Sequence, residues 1–184
     1  MTERARALAW PLFAVSGLLI VAFSLVSWGD SSQGLNSKIS GVGRVSVPGA
    51  APEDVAFLEA HTQRPGLVTI ILGAVIAAVA AVGWWRRRLR PIALSVIGLA
   101  AVGAAVAAGI VIADPSGRLL DDAVTSTLDL APGEQILQLG YGVIAVLVVA
   151  ILVVLGVVVS ALAVVRSTRL TSTRRDRTPA TPPG

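Results

Sequence analysis

Four runs along the chain contain no charged residue: 7–28, 66–85, 91–113 and about 137–165. Each meets the roughly 20 helical residues needed to cross about 30 Å of hydrocarbon at 1.5 Å per residue. None has the alternating apolar and polar period of a membrane barrel strand. A chain in lipid must satisfy its backbone hydrogen bonds internally, so the pattern predicts four transmembrane helices, an all-α membrane fold. One four-helix domain over residues 1–170 accounts for most of the chain.

The two longer connections, 29–65 and 114–136, read as outer segments. Residues 29–40 are rich in Ser, Gly and Asn and predict irregular chain, while 42–48 predict a short extended piece. Ala51-Pro52-Glu53-Asp54 is a helix start, with Pro in the first turn and two acids against the positive end of the dipole. Val55, Leu58 and Thr62 share one face of the predicted helix, which rests on the membrane or on the second connection and ends at Arg64-Pro65-Gly66. Asp114-Pro115-Ser116-Gly117 is a turn signal. Leu119, Leu120, Ala123, Val124 and Leu128 then recur at helical spacing, predicting a second short amphipathic helix. Ala131-Pro132-Gly133-Glu134 repeats the earlier start, so the fourth helix is expected to begin near Pro132, project from the bilayer and run about 50 Å to Arg166. Residues 171–184 lack apolar side chains to bury and predict a disordered basic tail.

Composition agrees with this reading. Of 184 residues 54% are hydrophobic and only 14% charged, with a mean hydropathy of +0.79, too little charge for a wholly water-facing surface. Zero cysteines exclude disulfides and thiol chemistry. The net charge of +4 conceals a separation. Arg4, Arg6, Arg86, Arg87, Arg88, Arg90, Arg166, Arg169, Arg174, Arg175 and Arg177, against Glu3 and Asp176, put +9 beside one set of span ends. Lys38, Arg44, Arg64 and Arg118, against nine acids of the two longer connections, put −5 beside the other. The positive-inside rule then predicts a multi-pass plasma-membrane protein with both termini cytoplasmic. The first run is long for a signal peptide and lacks a small-x-small cleavage site, so an uncleaved anchor is expected. Trp10, Trp28, Trp84 and Trp85 fall near span ends, as in an aromatic belt, and with Arg86, Arg87, Arg88 and Arg90 they are the expected membrane-interface anchors.

Catalytic chemistry is hard to place. The runs carry no Asp, Glu, Lys, Arg or His, the groups on which proton relays and ion paths depend. What they carry is small residues at four-residue spacing: Ala101, Ala105 and Gly109, Gly73 and Ala77, Gly156 and Ser160. Such stripes let helix backbones approach closely, either inside the bundle or against a partner. His61 is the sole histidine and has no companion for a zinc site. No nucleophile elbow, Walker sequence or dinucleotide loop occurs. The membrane-proximal arginines lack the aromatic interleaving of a nucleic-acid surface. The sequence therefore predicts no enzyme, no cofactor, no metal and no nucleic-acid partner. Its expected partners are membrane lipids and a larger membrane complex.

Ser27-Trp28-Gly29-Asp30 closing the first span, Trp84-Trp85-Arg86-Arg87-Arg88-Leu89-Arg90-Pro91 between the middle pair and an Arg-rich, Pro-ended tail resemble small actinobacterial envelope proteins. Two groups share this topology: the Luc-type accessory subunits of Mce lipid importers, and membrane proteins encoded beside tryptophan biosynthesis genes. The first resemblance implies a non-enzymatic subunit that supports assembly of a fatty-acid or sterol importer. A small lipid-binding membrane protein and a sensor signalling through the basic tail are the alternative readings.

Overall fold

The computed structural model describes residues 3–31, 37–119 and 138–175. The protein is mostly helical. Helix α1 (Glu3–Ser24) leads into strands β1 (Ser27–Ser31), β2 (Ser37–Ser40) and β3 (Val45–Ser46), then helices α2 (Pro52–Ala60) and α3 (Gly66–Trp85). A 3-10 turn (Arg87–Leu89) joins α3 to α4 (Arg90–Ala113), which is followed by α5 (Pro115–Leu119), strand β4 (Gln138–Leu139) and α6 (Tyr141–Arg175).

Three helical stretches, Gly66–Trp85, Arg87–Ala113 and Tyr141–Ala163, are long and apolar enough to cross a membrane. The apolar part of α1, Leu8–Ser24, is shorter, because the chain leaves the helix at Ser24 and turns into strand before Trp28. The four long helices close a ring, α1 against α3 and α6, and α4 against the same two.

What selects the inward face is a spacing of three and four. Buried positions run Trp10, Phe13, Gly17, Ile20, Ser24 on α1 and Gly66, Thr69, Gly73, Ile76, Ala80, Gly83 on α3. Helix α6 repeats the spacing at Val143, Val146, Ala150 and Val153, and α4 follows it through Ala93, Ile97, Ala100, Ala104, Ala108 and Val111. A mean of about 3.5 residues keeps a seam facing its neighbour along the whole helix. In soluble bundles the seam is the apolar stripe. Here both faces are apolar, and on α3 and α4 the seam is distinguished by size: inward positions there are mostly Gly, Ala and Thr, while Leu99 and Ile92 point outward.

The expectation of a wholly α fold is corrected at one end of the ring. Four short strands form an antiparallel sheet in the order β3-β2-β1-β4, and residues 29–31 and 37–40, expected to be irregular, belong to it. Ser, Gly, Asp and Lys have little strand preference, so the sheet rests on backbone pairing and on three buried anchors, Trp28, Ile39 and Val45. Its β4 partner comes from more than 100 residues further along the chain, which no local pattern could indicate.

The expected helix after Ala51 is present as α2, with Pro52 at its first turn and Glu53 and Asp54 behind it. Just beyond its exit, Gln63 N–H donates to Leu119 O of the second connection at 3.1 Å. Asp114-Pro115 opens the single-turn α5 rather than a non-helical turn, since Pro115 suits a first helical position. The second amphipathic helix and the start near Pro132 lie outside the described residues. Helix α6 begins at Tyr141, because Gln138 and Leu139 are engaged with β1 and Gly140 packs on the Ser27 carbonyl. It continues to Arg175, five residues into the segment expected to be irregular.

Candidate functional site

The two ends of the ring are chemically different. At the capped end Trp28 lies beneath the sheet, fully buried, with its indole Nε1–H donating to Phe23 O at 3.1 Å. Its ring is housed by glycines. A Cβ at Gly41 would lie 2.7 Å from Trp28 Cε2, and one at Gly142 would lie 3.0 Å from Cδ1. The same glycines bind the cap to the helices. Gly66 N–H at the start of α3 donates to Gly41 O at 2.8 Å, and Gly140 N–H before α6 donates to Trp28 O at 2.8 Å. Just below, Ser24 and Thr69 share a buried hydroxyl contact between α1 and α3. Glu59 at the end of α2 accepts from Val45 N–H at 3.1 Å, holding α2 to the sheet edge. His61 Nδ1–H donates to Phe57 O at 2.9 Å with its ring against Phe57. Among the described residues no group of His, Asp and Glu is arranged to hold a metal ion.

At the opposite end Trp10 is also buried. A Cβ at Gly83 would sit 2.2 Å from its ring, Phe13 packs edge-on at 6.3 Å between centroids, and the Arg90 guanidinium lies over it at 5.6 Å. Arg90 Nε–H also donates to Gly83 O at 3.3 Å. Two of the four expected tryptophan anchors, Trp10 and Trp28, are therefore interior: each ring faces a gap made by glycine instead of a headgroup. Trp84 and Trp85 are the uncovered pair, 59% and 91% exposed, and Arg86, Arg87 and Arg88 beside them are exposed as well.

The small-residue stripes mostly pack inside the protein. Gly73 and Ala77 meet Gly17 of α1, where a Cβ on Gly17 would lie 2.6 Å from both Gly73 O and Ala77 N. Ala101 is fully buried, and Gly156 faces the Phe13 ring. Ser160 Oγ–H donates to Gly156 O within its own helix. Ala105 and Gly109 are half-buried, and nothing lies within 4 Å of a Cβ built on Gly109. Sequence reasoning missed Gly17, Gly83, Gly41 and Gly142. The signal for Gly83 was its place ten residues after Gly73 on the same helix, whereas Gly17 is the single glycine of α1 and had no stripe around it.

Comparisons with protein-family models, curated proteins and solved structures return no match for this chain.

Proposed function

We propose that the chain is a non-enzymatic, multi-pass plasma-membrane subunit that supports a cell-envelope complex, the resemblance pointing to a lipid importer of the Mce type. In this reading all four long helices span the bilayer, the termini and arginine turn face the cytoplasm and the β cap faces outward. The observation that carries it is the contrast between faces of the ring. Among the described residues the middle of its interior is tight backbone packing without an ionisable group, Arg90 lying at one end over Trp10, whereas outward Leu99, Val106, Leu152 and Leu155 are large and uncovered by the protein itself. Such a surface suits lipid and neighbouring helices, and offers little to bound-state chemistry.

The absence of native cysteine makes the test direct. Single cysteines at Ser46, Glu53 and Arg87 should label from outside, outside and inside respectively with an impermeant maleimide. A photo-crosslinker at Leu152 in the native membrane should trap a defined envelope protein, and the same probe at buried Ala101 should not. Uniform labelling from one side would overturn the topology. A crosslink to lipid alone at Leu152, with only the monomer recovered in mild detergent, would overturn the subunit role.

A further inference from the structure

We infer that the turn between α3 and α4 is a docking site for anionic phospholipid headgroups, formed by Arg86, Arg87 and Arg88 with the indoles of Trp84 and Trp85. The inference rests on the membrane reading above and gives that membrane face a lipid preference.

Four arginines occupy the turn, and the structure separates them by role. Arg90 is committed inward, its Nε–H on Gly83 O and its guanidinium over the Trp10 ring. Arg86, Arg87 and Arg88 are exposed, and among the described residues no hydrogen bond or carboxylate engages their side chains. Three adjacent cations with no described carboxylate beside them repel one another, and an external anion relieves that repulsion. The backbone spreads them. Arg86 is extended, with φ −105° and ψ 90°, and Arg87–Leu89 form a 3-10 turn, whose three residues per revolution direct successive side chains about 120° apart. Side chains that diverge in this way fit several phosphates lying in one plane better than a single convergent phosphate. A headgroup layer supplies that plane, and the guanidinium fork matches phosphate oxygens.

The tryptophans fix the depth. Trp10 and Trp28 are buried in the ring, whereas Trp84 and Trp85 project at the last turn of α3 with almost nothing over Trp85. An exposed indole beside a cation has its stable place at the headgroup level, with its ring among the upper acyl carbons and its N–H toward ester and phosphate oxygens. Arginines one residue further along then meet the phosphates. The described carboxylates whose side chains are defined, Asp30, Glu53, Asp54, Glu59 and Asp114, belong to the cap and its adjoining helix ends, so none competes at this end.

The test is native mass spectrometry of the full-length protein in mild detergent with phosphatidylglycerol or phosphatidylcholine added at equal concentration. A basic residue near an anionic surface contributes about fivefold in affinity, so Arg86→Gln/Arg87→Gln/Arg88→Gln should reduce the phosphatidylglycerol preference by about a hundredfold. The all-lysine triple variant keeps the charge without the guanidinium fork and should fall between the native protein and the glutamine variant. Arg174→Gln/Arg175→Gln/Arg177→Gln removes the same charge elsewhere and should leave most of the preference intact. Equal loss in the turn and tail variants, or no phosphatidylglycerol preference in the native protein, would overturn the site, as would displacement of the lipid by millimolar inorganic phosphate. Alkaline carbonate extraction of the native protein reads the membrane assignment separately: release into the supernatant defeats that assignment, whereas retention with no lipid preference defeats only the docking site.

Discussion

Ser24 Oγ and Thr69 Oγ1 lie 2.6 Å apart with both side chains fully buried, and each hydroxyl also faces a carbonyl of its own helix, Ile20 O at 2.7 Å and Gly66 O at 2.9 Å. Two hydroxyl hydrogens serve three contacts, so one is shared. The pair joins α1 to α3 directly below the cap. In Thr69→Val the Ser24 hydrogen can settle on Ile20 O, and no buried donor is orphaned. Only the interhelix bond is lost. A double-mutant cycle of Ser24→Ala and Thr69→Val, read by unfolding in detergent, should give a coupling of about 0.6 kcal/mol and no more than about 1.7. Strict additivity would show that the bond contributes nothing to helix association.

The Gly17–Gly73 crossing should be far less tolerant. The atoms a Cβ on Gly17 would strike are backbone atoms of α3, which cannot rotate away as a side chain could. In Gly17→Ala the helices must separate and forfeit the contacts around them. A loss of about 1–3 kcal/mol is expected, seen as a fall in Tm. Gly109→Ala is the control. With open space around the new methyl, it should be neutral or stabilise by up to about 1 kcal/mol through helix propensity. Equal effects at the two positions would contradict the packing described.

The tryptophans should divide the same way. Trp28 fills a glycine-walled space and uses its N–H internally, so Trp28→Ala should cost about 3–5 kcal/mol and leave the cap loosened. Trp85 touches little of the protein, and Trp85→Ala should leave unfolding in detergent nearly unchanged. A comparable Tm loss in both would mean that Trp85 is covered after all.

These contrasts explain what the sequence could reveal. Long uncharged runs make helices obligatory, and Pro52 with two following acids marks α2, so those elements were legible from local chemistry. Inward and outward faces were not, because hydrophobicity does not vary around these helices and only side-chain volume does. Gly73 and Ala77 were visible as a stripe, but their partner Gly17 stands alone in its helix and acquires meaning only when α1 is laid against α3. Trp28 was misplaced for a related reason. Its position at a span end suggested the headgroups, and the glycines that bury it come from residues 41, 140 and 142, distant in sequence. The cap as a whole is an assembly of such distant pieces.

The cap's β3 edge provides the last test. Val45 pairs with Ile39 of β2, and its own N–H donates to Glu59 Oε1 at 3.1 Å. An unpaired edge N–H invites pairing with another chain, and a carboxylate from α2 occupies this one. A charged acceptor strengthens the bond to about 1.5–3 kcal/mol. In Glu59→Ala the Val45 amide should therefore exchange hydrogen about tenfold faster or more, while the amides of α3 stay as protected as before. Glu59→Gln keeps a neutral side-chain carbonyl at the same reach and should restore about half of the protection. Acceleration in both variants alike would show that the negative charge matters rather than the acceptor. Unchanged exchange in Glu59→Ala would show that α2 does not hold the sheet edge.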